Sequence, residues 1–215
     1  MLEEKFVLDP RLALWLPLRY ADGIEFHSRD AYVHLCIKIG TTWTPQGMVF
    51  DGLDDTIDIP IHSIFQCGAG NPFAVLAWIY LTANQNNQAS VYCRSTDTNG
   101  AIEFIESPTN RIIFTTTGGV PTGTVTLDLN RLYHVAGIYD GTRAYTYVDG
   151  ELKSTLTGNP GSGAASLYIG SYDGTTANRY FNGRIYDFKF YRGIFTQQEL
   201  LEEYIRGKGG LLNEV

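Results

Sequence analysis

The sequence has few of the features that mark membrane or nucleic-acid-binding proteins. No apolar run approaches the ~20 residues that a membrane-spanning helix needs. Lysine and arginine number 16 against 23 aspartates and glutamates, which gives a net charge of −7. The basic residues form no stripe, so a nucleic acid duplex would be repelled rather than attracted. We therefore expect neither insertion into a membrane nor binding of nucleic acid.

Cysteine is also scarce, with only Cys36, Cys67 and Cys93. The three are widely spaced and form no Cys-x-x-Cys or Cys/His cluster, which argues against a zinc site. Buried reduced thiols are the favoured interpretation, and one disulfide with a spare thiol is the alternative. No basic segment followed by an apolar one opens the chain, so no secretion signal is predicted. If the protein is extracellular or lies on a virion surface, it is expected to reach that location by a route other than a secretion signal.

What the sequence has in abundance is strand patterning. Short β-prone runs, separated by turns rich in Gly, Asp and Asn, extend from residue 12 to residue 193. Two of them, residues 47–52 and 56–60, flank the segment Asp-Gly-Leu-Asp-Asp and are predicted to pair as a hairpin. The pattern predicts an all-β fold, namely a single antiparallel β-sandwich or jelly roll.

One segment near the C-terminus is predicted to be a short helix. Thr196 stands three residues before Glu199, which is the spacing of a capping box, and apolar residues follow at helical intervals. Gly207 is expected to end this helix. The chain is therefore predicted to be one domain over residues 1–207, with a C-terminal tail at 208–215.

Two Asp-Gly pairs, Asp140-Gly141 and Asp149-Gly150, bracket a short run of alternating side chains. Asp-Gly favours the positive φ angles of tight hairpin turns. The two carboxylates would then lie at opposite ends of one strand, ~30 Å apart at about 3.3 Å per residue. That is too far for a shared proton or metal ion, so we interpret both aspartates as turn residues.

An ordered series of motifs resembles the laminin-G-like branch of the concanavalin A-like lectin/glucanase superfamily. The series is His-Val-Ala at 134–136, Tyr-Asp-Gly at 139–141, Tyr-Val-Asp-Gly at 147–150, Leu-Tyr-Ile-Gly at 167–170 and Gly-Arg-Ile-Tyr-Asp at 183–187. The resemblance covers roughly residues 12–206. It implies a jelly roll of two antiparallel sheets, a fold that hosts lectins, adhesion modules, a few glycosidases and components of virus particles.

Catalysis is not expected. Retaining glycosidases hold two carboxyl groups ~5 Å apart, which alternate positions of one strand provide. The best pair here, Glu103 and Glu106, is three residues apart and would face opposite sides of a regular strand. The four histidines have no Gly-x-Ser-x-Gly motif beside them. His134 is interpreted as a packed, hydrogen-bonded residue.

A calcium site is suggested by acidic residues and by the resemblance, because many laminin-G-like domains hold a calcium ion. Asp51 and Asp54, in a segment that also contains Asp55, are candidate ligands together with Asp187 from a later strand. Carboxylate oxygens are the ligands that hard cations prefer. Alternation would turn Tyr186 and Asp187 to opposite faces of their strand. The alternative is that the clustered aspartates only form a turn.

Carbohydrate binding needs flat aromatic faces beside polar groups. Trp43 lies in a loop-like context and is a candidate for exposure, whereas Trp15 and Trp78 lie in apolar strands and are predicted to be core residues. The loop at 171–183 contains the other candidate ligand-binding residues, which are Tyr172, Asp173, Arg179, Tyr180 and Asn182. This mixture suits a sugar or a protein partner.

Together these features predict a non-catalytic binding module. The preferred ligand is a glycan on a cell or polymer surface, with a structural calcium ion. The alternative is a structural or adhesion protein of a larger assembly, such as a virion or phage surface, that binds a surface protein or forms a homo-oligomer. Glycan binding would favour the first prediction, and a stable oligomer without glycan binding would favour the second.

Overall fold

Two antiparallel β-sheets and one α-helix make up the described part of this computed structural model, residues 9–68, 70–94, 97–105, 109–116, 125–161 and 166–212. Sheet A contains, in spatial order, β14 (Glu151–Thr157), β13 (Arg143–Val148), β12 (Leu132–Tyr139), β7 (Phe73–Leu81), β16 (Asn182–Arg192), β5 (Gly47–Asp51) and β4 (Thr42–Thr44), with β1 (Leu12–Leu16) also paired to β16. Sheet B contains β11 (Val125–Thr126), β10 (Arg111–Phe114), β9 (Asp97–Ile105), β8 (Ser90–Arg94), β15 (Leu167–Ile169), β6 (Thr56–Ile59), β3 (Leu35–Ile39) and β2 (Glu25–His27). The helix is α1 (Gln197–Leu212), and a short 3₁₀ helix lies at Ser63–Phe65.

The two sheets face each other across a core rich in aromatic side chains. The odd-numbered residues of β7, from Phe73 to Leu81, point into this core, since every second side chain of a strand lies on the same face. Phe73 stacks on Phe190 of β16 with ring centroids 5.3 Å apart, and Tyr92 of β8 meets the same Phe190 ring at 6.3 Å. The predicted all-β antiparallel sandwich with a C-terminal helix is confirmed.

The outer face of sheet A is also covered, which is why β7 is apolar on both faces. Leu76 belongs to a second buried cluster that Leu200 of α1 completes and that Trp15 packs against. Trp78 stacks on Tyr204 of α1 with centroids 5.7 Å apart. Trp78 is therefore buried as predicted, although it lies beneath the helix rather than between the sheets. Trp15 is partly buried and packs against the same cluster, so it lies at the margin of the core rather than inside it.

The three cysteines are free and buried, as the favoured interpretation predicted. Cys36 and Cys67 belong to the core between the sheets, and Cys93 lies on β8. Burial raises the pKa of the Cys36 thiol to about 12. A thiol with so high a pKa is protonated at neutral pH and is a poor nucleophile or metal ligand.

The Asp-Gly-Leu-Asp-Asp segment crosses from one sheet to the other instead of closing a hairpin. β5 ends at Asp51 and pairs with β4 and β16 in sheet A. β6 begins at Thr56 and pairs with β3 and β15 in sheet B. The predicted pairing of residues 47–52 with 56–60 is wrong, because alternation fixes which side chains share a face but not which strand is the partner.

Both Asp-Gly pairs of the 134–152 stretch are hairpin turns, as predicted. The Asp140 carboxylate accepts hydrogen bonds from the backbone N–H groups of Thr142 and Arg143, both at 2.8 Å, and closes the β12–β13 hairpin. Asp149 and Gly150 have φ angles of 53° and 79° in the β13–β14 hairpin. Such angles are those of the two-residue turns in which Asp-Gly is common.

The start of α1 follows the sequence prediction, but its end does not. Glu199 Oε2 accepts a hydrogen bond from Thr196 N at 2.8 Å, and Thr196 Oγ1 accepts one from Glu199 N at 3.2 Å, which is a capping box. The helix continues through Gly207 to Leu212, so the predicted end at Gly207 is wrong. Within the ranges that the structure describes, no helix is both long and apolar enough to cross a membrane.

Candidate functional site

Three carboxylates converge where the chain crosses between the sheets. One oxygen from each of Asp51, Asp54 and Asp55 lies within 4.8 Å of the others. Asp51 and Asp54 are exposed, whereas Asp55 is buried. In the described part of the chain no lysine or arginine forms a salt bridge with any of the three, and the charge of Lys38 acts on Asp55 from beyond salt-bridge distance. We call the three aspartates the acidic trio.

Local hydrogen bonds hold the acidic trio in place. Asp51 Oδ1 accepts a hydrogen bond from Leu53 N, and Asp55 Oδ2 accepts one from Asp51 N, both at 2.8 Å. Burial, together with the charges of Asp51 and Asp54, raises the pKa of Asp55 from 3.8 to about 6. The negative charges of neighbouring carboxylates repel one another, which makes ionisation of each less favourable. A bound cation relieves this repulsion, and carboxylate oxygens are ligands of hard cations. The acidic trio is therefore a candidate site for a metal ion.

Asp55→Asn is expected to stabilise the metal-free protein at neutral pH and to have little effect near pH 4. The folded protein binds the Asp55 proton more tightly than the unfolded chain does. Stability that this proton provides below about pH 4 is therefore lost as the pH rises through about 6. The shift from 3.8 to about 6 corresponds to about 3 kcal/mol at about 1.4 kcal/mol per pKa unit, and solvent screening beside the exposed Asp51 and Asp54 reduces it to about 2 kcal/mol. The variant is never charged and avoids that loss. Urea unfolding in EDTA at several pH values measures the difference, and an equal effect at pH 4 and pH 8 would contradict it.

The loop that joins β15 to β16 presents a stacked pair of side chains. The Arg179 guanidinium lies 4.4 Å from the centre of the Tyr172 ring, within the range of a cation–π contact. Asp173 organises the loop, since its carboxylate accepts hydrogen bonds from the backbone N–H groups of Thr175 and Thr176. Tyr172 and Arg179 are both partly buried, so each leaves part of its side chain open to solvent.

Asn182 connects this loop to the acidic trio. Its Nδ2 donates a hydrogen bond to the Asp51 carbonyl oxygen, and its Oδ1 accepts one from Thr82 Oγ1, both at 2.7 Å. Burial and the nearby charges of Asp173 and Asp54 raise the pKa of Tyr180. The loop and the trio are thus neighbours at one edge of the sandwich. We call residues 51–55 and 171–182 together the rim.

Not all of the predicted site residues offer groups to a ligand at the rim. Tyr180 is only 5% exposed, so its ring is not a platform for a sugar. Trp43 lies in β4 and is half-buried, with its ring against Phe26 at 5.1 Å and its Nε1 donating to Gly23 O at 2.9 Å. The two contacts give Trp43 a packing role, because they occupy its ring and its donor.

The structure does not bring Asp187 together with Asp51 and Asp54. Asp187 lies on β16 opposite Trp78, and its Oδ1 accepts a hydrogen bond from Trp15 Nε1 at 2.8 Å. A register shift between Ile185 and Asp187 is present at this point of the strand. The side chain belongs to the outer face of sheet A, so the metal site predicted from Asp51, Asp54 and Asp187 lacks its third member and has Asp55 instead.

Asp58 is a polar residue of this region that the sequence prediction missed. It lies on β6 between Ile57 and Ile59, which point into the core. In the described ranges its Oδ1 is buried without a hydrogen-bond partner, and burial raises the pKa of the carboxyl group. The alternation of β6 is the signal that could have placed Asp58 on the outer face, beneath the 171–182 loop at Gly174.

The sequence itself places this architecture in a family. Residues 51–201 match the family model Laminin_G_3, described as the concanavalin A-like lectin/glucanases superfamily. The chain belongs to this superfamily. The matched range is more than half of the chain and includes both parts of the rim, so the predicted laminin-G-like resemblance is confirmed. A search of curated proteins finds no significant match.

Solved structures share the concanavalin A-like fold at low sequence identity. A Trypanosoma rangeli sialidase in complex with sialic acid has a TM-score of 0.71 at 16% identity, over 94% of this chain and 34% of the sialidase. Domain 4 of AbnA, a GH43 extracellular arabinanase from Geobacillus stearothermophilus in complex with arabinotriose, has a TM-score of 0.55 at 16% identity, over 78% of this chain and 80% of that domain. The chain spans about a third of the sialidase's length. At such identities the likeness establishes the fold alone.

Proposed function

We propose that the chain is a non-catalytic module that binds a glycan at the rim. The observation that carries the proposal is the Tyr172–Arg179 stack at the same edge as the acidic trio. An aromatic ring with one open side can pack against the C–H face of a sugar, and a guanidinium can donate several hydrogen bonds to hydroxyl oxygens. The arabinotriose complex of AbnA domain 4 supports the proposal by analogy of fold.

A calcium ion at the acidic trio would have a structural role in this proposal. Asp51, Asp54 and Asp55 would supply three of the six to eight oxygens that calcium takes, and water or backbone carbonyls would complete the set. The bound ion would neutralise the trio and fix the crossing between the sheets. Because Asn182 is bonded to the Asp51 carbonyl, the same ion would steady the 171–182 loop.

The absence of catalysis is part of the proposal. A retaining glycosidase needs two carboxyl groups ~5 Å apart and open to the substrate. Glu103 is 4% exposed on β9, which leaves no route for a glycan to reach it, and Glu106 lies outside the described residues. Incubation with mixed β-glucans should release no reducing ends. Their steady release would make the chain an enzyme.

Arg179→Ala is expected to weaken glycan binding about tenfold or more, since a hydrogen bond to a charged group contributes about 1.5–3 kcal/mol. A glycan array identifies the ligand, and calorimetric titration compares the variants. Arg131→Ala is the matched control, because Arg131 also stacks on a tyrosine, Tyr133, at 4.6 Å but lies outside the rim. The proposal would be contradicted if both variants lost the same glycan affinity, or if the array retained no glycan.

A second candidate function is contact with protein partners in a larger assembly. It is favoured by exposed apolar side chains on and beside β2 and β3, the last two strands at one side of sheet B. These are Ile24, Val33, Leu35 and Ile39, which are between 37% and 67% exposed. Such side chains at a sheet edge favour self-association or a surface-protein partner. Light scattering after size exclusion tests this candidate: an ordered oligomer that Ile39→Glu dissociates supports it, and a monomer at all concentrations rejects it.

A further inference from the structure

The inner face of α1 is occupied by contacts with sheet A. Leu200 is buried in the second cluster, and Tyr204 stacks on Trp78 with ring centroids 5.7 Å apart. A β-carbon at Gly207 would lie against the same indole. His134 packs 5.9 Å from the Tyr204 ring as predicted, although its Nδ1 has no hydrogen-bond partner within the described residues. These contacts fix the side of the helix that faces the sheet, and therefore also the side that faces solvent.

The outer face of α1 carries an apolar patch. Leu201 and Ile205 are four residues apart, so they lie on one face of the helix, and they are 38% and 60% exposed. Leu201 reaches the β13–β14 turn, since its Cδ1 lies 3.2 Å from the β-carbon position of Gly150. Leu152 of β14 is 47% exposed and pairs with Tyr147, which places it on the same side of sheet A as α1. We call Leu152, Leu201 and Ile205 the helix patch.

Gly209 lies on the same outer face, four residues after Ile205. Glycine is one of the least favourable residues inside a helix. Gly207 has a reason in its approach to Trp78, but no heavy atom of the described residues lies within 4 Å of a β-carbon at residue 209. Contacts within the described part of the chain therefore do not account for Gly209, whereas a second helix could approach closely where there is no side chain.

The exposed charges of α1 are divided between its two halves. Glu202 is exposed in the first half, and Arg206 and Lys208 are exposed in the second. Glu202 accepts a hydrogen bond from Gln198 Nε2 at 2.9 Å, and Arg206 pairs with Glu203 at 2.6 Å but is still 69% exposed. When two such helices pack antiparallel, the acidic half of each lies beside the basic half of the other, and their dipoles also oppose. Parallel packing would bring like charges together, so the charge pattern of α1 is self-complementary only in the antiparallel arrangement.

We propose that the helix patch is a self-association surface, on which α1 of a second copy packs antiparallel about a two-fold axis. An axis at the middle of α1, between Tyr204 and Ile205, brings the two Ile205 side chains together and places Glu202 of each copy beside the partner's Arg206. The inference does not depend on glycan binding or on contacts through β2 and β3, since the helix patch shares no residue with those surfaces.

The dimer is expected to be weak. A single pair of helices buries an area at the lower end of specific interfaces, which corresponds to a dissociation constant on the order of 100 µM. The protein is then a monomer at the lower concentrations of circular dichroism experiments, so the dimer does not affect comparisons of stability between variants of α1.

Sedimentation equilibrium between about 10 µM and 1 mM protein measures the association, in about 0.15 M salt that screens the net charge of −7. The native protein should fit an equilibrium between monomer and dimer. Ile205→Glu should remove the dimer over this range, because it would bury two like charges at the axis. Ile205 is 60% exposed, so the variant should fold, which circular dichroism checks. Ile39→Glu is the control, because Ile39 is also exposed but lies on β3, and this variant should dimerise as the native protein does.

Charge reversal tests the antiparallel arrangement. Glu202→Arg and Arg206→Glu should each raise the dissociation constant about tenfold or more, since each replaces two attractions across the axis by two repulsions. The double variant, Glu202→Arg with Arg206→Glu, should restore the affinity of the native protein. The proposal is overturned by a native protein that stays monomeric at the highest concentration, by a dimer that Ile205→Glu leaves intact, by equal loss of the dimer in Ile39→Glu, or by a double variant that associates no better than the single ones.

Discussion

Gly207→Ala is expected to lower the free energy of unfolding by about 1–3 kcal/mol, which is the usual cost of overpacking a filled contact. A β-carbon at residue 207 would lie 2.3 Å from Trp78 Nε1 and 2.8 Å from its Cε2. The indole has little room to move, because it packs against both Tyr204 and His134. For a chain of this size each kcal/mol corresponds to about 2–4 °C in melting temperature. Thermal unfolding followed by circular dichroism measures the change.

Gly209→Ala is the matched control. It lies two residues further along α1, and no heavy atom of the described residues comes within 4 Å of the β-carbon position. Alanine is favoured over glycine in a helix by up to about 1 kcal/mol, so this variant should be more stable than the native protein. The two substitutions should therefore have opposite signs. A stabilising Gly207→Ala would contradict the docking of α1 on Trp78.

Calcium is expected to raise the melting temperature of the metal-free protein by several degrees, and EDTA to reverse the change. An ion at a hundredfold excess over its dissociation constant adds about 2.7 kcal/mol, which for this chain length corresponds to roughly 5–10 °C. The effect arises because the ion relieves repulsion among three carboxylates that form no salt bridge with a lysine or arginine within the described ranges. Lys38 acts on Asp55 only from beyond salt-bridge distance and lowers its pKa less than burial raises it. It should be larger at pH 7.5 than at pH 5, where Asp55, with a pKa of about 6, is mostly protonated.

Asp54→Asn should abolish most of the calcium-dependent shift, because it removes an exposed ligand without disturbing the core. Asp128→Asn changes an exposed aspartate outside the rim and should retain the full shift. Differential scanning calorimetry with and without EDTA compares the two. If the thermal unfolding transition of the native protein is the same with and without EDTA, and elemental analysis finds no metal, the proposed calcium site is rejected.

The parts of the fold that depend on local chemistry can be predicted from the sequence. The Asp-Gly turns require positive φ angles, and the Thr196–Glu199 spacing requires only one turn of helix, so both predictions are confirmed. The strand partners of residues 47–52 and 56–60 depend on contacts far along the chain, and the predicted pairing is wrong. Gly207 is predicted as a helix end because glycine is common there, whereas the structure shows it where α1 approaches Trp78.

In the candidate site, too, the part that depends on residues close in sequence can be predicted, and the part that depends on distant residues cannot. The clustering of Asp51, Asp54 and Asp55 follows from their closeness in sequence, and the structure brings their carboxylates together. Asp187 is predicted to join the same group from a neighbouring strand, but its position along β16 and a register shift place it on the outer face of sheet A. A cavity between sheet A and α1 could not be predicted, because it is formed by residues of β1, β7, β12, β16 and α1 that only the tertiary fold assembles.

The most direct test of glycan binding at the rim is a ¹H–¹⁵N chemical-shift titration with the strongest ligand from a glycan array. We predict that saturable shifts concentrate at residues 51–55 and 171–182, with Arg179 and Tyr172 among the most affected. The same glycan should leave the Arg131 region unchanged. Shifts confined to other surfaces, or no shifts at saturating glycan, would contradict glycan binding at the rim.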